Sequence, residues 1–229
     1  MPDSQRETAR LSWRPGNVPV SLAFDDPYFS IHDGLAETRH VFLAGNDLPA
    51  RFRNGFQVAE LGFGTGLNLL ATWQAWEDSG QGGRLGFTSF EAFPMRPADM
   101  EKALSAFPAL AVRAASLLAE WGADKTAFSL GPLDVRIILG DARQTLVRWA
   151  GRADAWYLDG FAPARNPDLW GADLLAEVAA HTQPGGTLAT YTAAGHVRRS
   201  LQDLGFTIRR IPGFGRKRHM SAGRLTGPA

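Results

Sequence analysis

The sequence predicts an α/β fold: a mostly parallel, doubly wound, Rossmann-like sheet with helices on both faces. Three observations predict it. From Phe56 onward, short apolar or β-branched runs alternate with amphipathic stretches of helical length. A glycine-rich turn, Gly62-Phe63-Gly64-Thr65-Gly66, joins the first such run to the first such helix. Acidic residues stand at the ends of the following runs, at Glu91, Asp141 and Asp159. Alternation of this kind builds parallel sheets, and such sheets bind ligands beyond the carboxyl ends of their strands, where the strand order reverses.

The elements follow in order. Residues 1–55 are punctuated by Pro15-Gly16, Asp25-Asp26-Pro27 and Asp33-Gly34, and are expected to form an extension: a hairpin and a short helix over 35–43, packed on the domain that fills 56–229. Strands are expected at 56–61, 85–90, 135–139, 155–158 and 186–191. Helices are expected at 67–77, 97–106, 109–121, 142–150, 169–181 and 196–204, the last stopped by Gly205. Segments 206–211 and 219–222 suit a closing hairpin. The stretch 122–133 carries no assignment.

Composition narrows the function. Hydrophobic residues make up 45% and charged residues 21% of the 229, which excludes a disordered chain. There is no cysteine, which excludes disulfide scaffolds, Cys-ligated metal sites and thiol nucleophiles. The five histidines show no i, i+4 pair, so no metal is expected. No apolar run approaches the roughly 20 residues of a membrane span. The first seven residues hold no apolar signal core, so a cytoplasmic setting is expected. The formal net charge of +1 hides a split: residues 190–229 hold eight Lys and Arg against Asp203 alone, leaving 16 basic and 22 acidic residues elsewhere. A solvated basic surface and a polyanion-binding face both fit that split.

The glycine turn is not the dinucleotide fingerprint, because Leu67 stands where its third glycine belongs. Glu60, two residues before Gly62, followed by Gly62, Gly64 and Gly66, resembles the first motif of class I S-adenosylmethionine-dependent methyltransferases. That resemblance implies a seven-stranded sheet, S-adenosyl-L-methionine as cofactor, Glu91 on its ribose hydroxyls and Asp141 on its adenine. Asp141 equally suits a helix N-cap. Asp159, in Asp159-Gly160-Phe161-Ala162-Pro163, would face the transferring methyl.

Further strings occur together and in order: Asp26-Pro27-Tyr28-Phe29-Ser30, Gly34-Leu35-Ala36-Glu37-Thr38-Arg39, Glu60 to Asn68, Asn166-Pro167-Asp168-Leu169-Trp170, Thr190 to Gly195 with Val197-Arg198-Arg199, and Pro212 to Arg218. From about Pro19 to about Met220 the chain resembles the tRNA 5-(aminomethyl)-2-thiouridine methyltransferases, the N-terminal, MnmD-type half of the bifunctional MnmC proteins. The resemblance implies methylation of an exocyclic amine on the wobble uridine of tRNA. It further implies that Tyr28 and Glu37 close over the cofactor and that Asn68 touches its carboxylate end. Asp159 would orient the amine and accept its proton, and Phe161 would pack on the uracil ring. Arg198, Arg199, Arg216, Lys217 and Arg218 would grip the anticodon stem-loop. No second glycine fingerprint follows, so the methyl step alone is expected, with a separate FAD-dependent oxidase or another enzyme supplying the precursor. Two rival readings are methylation of a free small amine and an RNA-binding module without catalysis. A nicotinamide dehydrogenase is a minor third. The seven tryptophans suit packing, with Trp170 alone considered as a base platform.

Overall fold

The structure, a computed structural model, describes residues 7–30, 33–122 and 125–227. Two hairpin strands, β1 (Leu11–Arg14) and β2 (Val18–Ser21), pair with a short β3 (Asp26–Pro27) in a small antiparallel sheet. Helix α1 (Gly34–Thr38) begins at Asp33, whose carboxylate accepts from the Ala36 amide at 2.8 Å, and widens into a π-type turn over Arg39–Leu43. The alternating pattern then produces β4 (Phe56–Leu61), α2 (Leu67–Asp78), β5 (Leu85–Glu91), α3 (Pro97–Leu104), α4 (Ala111–Glu120), β6 (Ala127–Leu130), β7 (Leu133–Leu139), α5 (Ala142–Thr145), β8 (Ala153–Leu158), α6 (Ala172–Ala180), β9 (Thr182–Thr190), α7 (Gly195–Asp203), β10 (Phe206–Pro212) and β11 (His219–Leu225).

The last eight strands form one sheet in the order β10-β11-β9-β8-β4-β5-β7-β6. The inner pairs β9–β8, β8–β4, β4–β5 and β5–β7 are parallel, and the flanking pairs are antiparallel. The chain starts in the middle at β4, runs outward through β5 and β7, then returns to lay β8 on the other side of β4. The order therefore reverses between β4 and β8, and a crevice opens above their carboxyl ends. Both faces of the sheet are apolar because strand side chains alternate. Val58, Phe87 and Tyr157 join α2, α3, α4 and Val41 and Phe42 in one core. Ala59, Phe90, Trp156 and Leu158 join α5, α6 and α7 in the other.

Three expectations change. The sheet has eight strands, because β6 pairs antiparallel with β7 across Gly131 (φ +53°), inside the stretch that carried no assignment. Helix α5 stops early, in a 3₁₀ turn over Leu146–Arg148, after which Trp149 lies edge-on to Phe90 and Trp156 at 5.7 and 5.9 Å. The helix expected from 169 starts at Ala172, because Gly171 is extended (ψ 150°) and the preceding residues Pro167–Trp170 form a separate 3₁₀ turn. No single helix among the described residues is long and apolar enough to cross a membrane.

Candidate active site

The crevice is a cavity of about 610 Å³, floored by the turns after β4, β5, β7 and β8 and bordered by Tyr28, Glu37, Phe214, Arg216 and Lys217. Its floor depends on Gly62, which follows β4 at φ +87°; a Cβ there would lie 2.8 Å from the Asp159 carbonyl oxygen, so a side chain is sterically barred. The close contact continues the β4–β8 pairing one step past Leu61 and Leu158.

Each strand-end acid has its own environment. Glu91 is buried, and its two carboxylate oxygens accept from the Gly64 and Phe93 amides at 2.8 and 2.7 Å. Burial raises its pKa while these amides oppose the rise. The Phe63 and Ala92 amides add to the same effect, so four backbone groups face this carboxylate. Asp141 caps α5 through the Arg143 amide at 2.9 Å, and the Arg143 guanidinium grips both of its oxygens and reaches Asp168 at 2.9 Å. Hydrogen bonds from Arg143 hold Asp141 below the usual carboxylate range.

Asp159 is half-buried at the end of β8. Its Oδ1 accepts from the Gly160 amide at 2.9 Å and its Oδ2 from Asn68 Nδ2 at 2.8 Å. Burial pushes its carboxyl up to about 7, with the hydrogen bond from Asn68 opposing and the charge of Glu37 adding to the rise. Phe161 lines the same cavity. Phe24 stacks on one of its faces at 4.6 Å and Tyr28 meets it edge-on at 5.0 Å, so at most one face is open to a base. Tyr28 also lies against the glycine turn, 3.0 Å from the place a Gly64 Cβ would take.

Several sequence expectations are revised. Glu60 is fully buried and does not line the cavity; it accepts from Asn68 Nδ2 at 2.8 Å and from Ser89 Oγ at 2.6 Å. Gly66 also lies outside the lining, and its missing side chain admits Leu117 of α4 and the Phe63 ring instead of a ligand. Asn68 reaches the lining, but its amide is fully used: its two N–H groups go to Glu60 and Asp159, and its carbonyl accepts from Thr38 Oγ1 at 2.9 Å. No donor remains for a ligand. Lys217 is held at the rim, 2.9 Å from Glu37 Oε1 and 3.9 Å above the Tyr191 ring, rather than free for phosphate. Trp170 is buried and donates to the Phe161 carbonyl at 2.9 Å, so it packs under the site.

The basic residues divide. Arg216 lines the cavity, while Arg198, Arg199 and Arg218 stand outside it. Arg198 of α7, Arg210 of β10 and Arg218 surround His219, whose pKa is lowered by partial burial and then by these three charges. Arg210 belongs with this cluster. Tyr191 and Thr38 were also missed: the Tyr191 hydroxyl donates to the Gly160 carbonyl at 2.7 Å and so helps fix the Asp159 turn. Both residues lie in the strings quoted above, but nothing in sequence spacing marks such contacts. Among the described residues, no group of three or more acids and histidines is placed to hold a metal ion.

A family model described as S-adenosyl-L-methionine-dependent methyltransferase matches residues 109–226, about half of the chain. The chain belongs to that family. S-adenosylmethionine is therefore the methyl donor, and the cavity that Glu91 and the glycine turn line is where the sheet order reverses. This methyltransferase is 45% identical over 236 residues to the tRNA 5-methylaminomethyl-2-thiouridine biosynthesis bifunctional protein MnmC of Pseudomonas aeruginosa (strain UCBPP-PA14), a match that covers 98% of the chain and 36% of that protein. With the protein of the same name from Marinobacter nauticus it shares 46% identity over 233 residues, 96% of the chain and 37% of the relative. The chain thus spans little more than a third of the length of these relatives. The crystal structure of MNMC2 from Aquifex aeolicus superposes with a TM-score of 0.76 at 25% identity, over 99% of the chain and 73% of that structure.

Proposed function

We propose that this methyltransferase moves a methyl group from S-adenosylmethionine to the exocyclic amine of 5-aminomethyl-(2-thio)uridine at the wobble position of tRNA, giving the 5-methylaminomethyl form. The observation that carries the reading is Asp159: a half-buried carboxyl in the donor cavity, poised near neutrality and flanked by an aromatic wall. Likeness over 98% of the chain to proteins named for that nucleoside supports the substrate.

The bound donor supplies a methyl made electrophilic by its sulfonium. Glu91, with the glycine turn beneath, would hold its ribose, and Asp141 and Arg143 would border its adenine. The acceptor is a primary amine, protonated at neutral pH. Its ammonium binds the Asp159 carboxylate and passes it one proton. The freed lone pair would then face the donor's methyl, whose transfer would form the C–N bond while the C–S bond breaks and leaves its electrons on sulfur. The product leaves as a secondary ammonium, and Asp159 returns its proton to solvent. A carboxyl near pH 7 suits this task, because a general base works best when its pKa lies near the working pH. Tyr28, Phe24 and Phe161 wall the space beside Asp159 where a single-stranded base can lie. Arg198, Arg199, Arg210, Arg216 and Arg218 supply positive charge for the anticodon stem-loop, and a tRNA substrate places the work in the cytoplasm. The precursor amine must come from another reaction, for which we propose an FAD-dependent oxidase, whether on a separate chain or joined to this one.

The test is mass analysis of nucleosides from tRNA carrying the aminomethyl precursor, after incubation with protein and donor. A gain of one methyl on that nucleoside is expected. Transfer to free alkylamines with none to the tRNA would overturn the reading.

A further inference from the structure

Beneath Asp159 lies a second carboxylate that the proposed reaction does not use. Glu60, at the end of β4, is fully buried, and each of its oxygens accepts one donor: Oε1 from Asn68 Nδ2 and Oε2 from Ser89 Oγ. That donor set suits an ionised carboxylate. The same Asn68 nitrogen gives its other hydrogen to Asp159 Oδ2, so one amide joins the two acids at 2.8 Å to each. Asn68 cannot turn over. Its carbonyl is held by Thr38 Oγ1 at 2.9 Å, and a flipped amide would aim its oxygen at two carboxylates. Four elements, β4, β8, α1 and α2, thus converge on one bridging side chain.

We propose that Glu60, Asn68 and Asp159 act as one proton-handling unit, in which Glu60 is a positioning residue whose buried charge, relayed across Asn68, sets the proton affinity of Asp159. The inference rests on the methyl-transfer reading for its purpose but not for its physics. Two like charges across one amide, one of them fully buried, cannot both stay ionised cheaply, so the pair titrates together. Burial pushes the Glu60 carboxyl up, the hydrogen bonds from Ser89 and Asn68 oppose that rise and favour its ionised form, and the charge of Asp159 adds to the rise. The other groups facing the pair are Glu91 from β5, Glu37 from α1, Tyr157 from β8, Tyr191 from the turn after β9 and Lys217 from the loop before β11. Of these, Lys217 alone is cationic, and it is shared with Glu37. When the substrate ammonium arrives it supplies the missing positive charge, and its proton enters a site that already favours one.

The test is Glu60→Gln, read in two ways. Carbon-13 NMR titration of the Asp159 carboxyl in the protein without tRNA is expected to show a midpoint at least one pH unit lower than in the wild type. The acidic limb of single-turnover methyl transfer should move down by the same amount, with donor affinity by calorimetry within twofold. An Asp159 midpoint unchanged in a folded Glu60→Gln protein would overturn the proposal. Should Glu60→Gln not fold, Thr38→Val decides: with the Asn68 amide no longer fixed, the hydrogen bond that favours ionised Asp159 weakens and its NMR midpoint should rise, and an unchanged midpoint in folded Thr38→Val would overturn the proposal. Because the NMR midpoint needs no turnover, failure of the tRNA reading and failure of the coupled pair give different results.

Discussion

The floor of the cavity and the basic flank of the carboxyl-terminal hairpin are held by opposite means. On the floor, Glu60 and Glu91 are buried and Asp159 is half-buried, and the donors that hold them are fixed: the Gly64, Phe93 and Gly160 amides, Ser89 and Asn68. On the flank, Arg210 and Arg218 are exposed and Arg198 is half-buried. Burial raises the energy of a charge until its proton becomes movable, which is what acid–base work needs. Exposure leaves a guanidinium fully charged and free to meet phosphate, which is what a nucleic-acid surface needs. The same electrostatics serve two purposes, separated by depth.

Removing the floor's reactive group should have the largest consequence. Asp159→Asn keeps the shape but cannot take a proton, and methyl transfer at neutral pH is expected to fall roughly 10²–10⁴-fold, as for loss of a general base. The flank should respond in affinity instead. Arg198→Ala/Arg210→Ala/Arg218→Ala is expected to flatten the dependence of log affinity for tRNA on log salt by about 0.7–0.9 per lost phosphate contact, measured by filter binding across a salt series. An unchanged slope would remove the flank from the RNA surface. Smallest is the rim. Lys217→Met deletes one ion pair to Glu37 and one cation–π contact at a half-exposed side chain, and denaturant unfolding is expected to change by no more than about 1 kcal/mol.

Much of the frame was legible because it is written in local signals. The glycine turn and the acids at the strand ends are read from periodicity and position, and the structure brings Gly62, Gly64, Glu91, Asp141 and Asp159 to one cavity. What stayed hidden is what depends on distant partners. Asn68 looks like a ligand contact until Thr38, 30 residues earlier, and Asp159, 91 residues later, claim its amide. Lys217 reads as one of a basic triplet until Glu37, 180 residues away, takes it. Glu60 belongs to the glycine motif by spacing, yet strand alternation turns it inward toward Ser89. Strand β6 was missed because its four residues, Ala127–Leu130, alternate too briefly to register, although Gly131-Pro132 marks the turn that pairs it with β7.

The central claim is that the carboxyl at the tip of β8 takes the proton from the acceptor amine. It is tested most directly by the pH dependence of single-turnover methyl transfer, with donor saturating, for the wild type and Asp159→Asn side by side. The wild-type rate should rise with pH along an acidic limb centred near about 7, the value to which burial lifts Asp159. In Asp159→Asn that limb should vanish, leaving only the rise at higher pH from the amine's own ionisation, while donor affinity by calorimetry stays the same. A limb near neutrality that persists in Asp159→Asn, at a rate close to wild type, would contradict the claim.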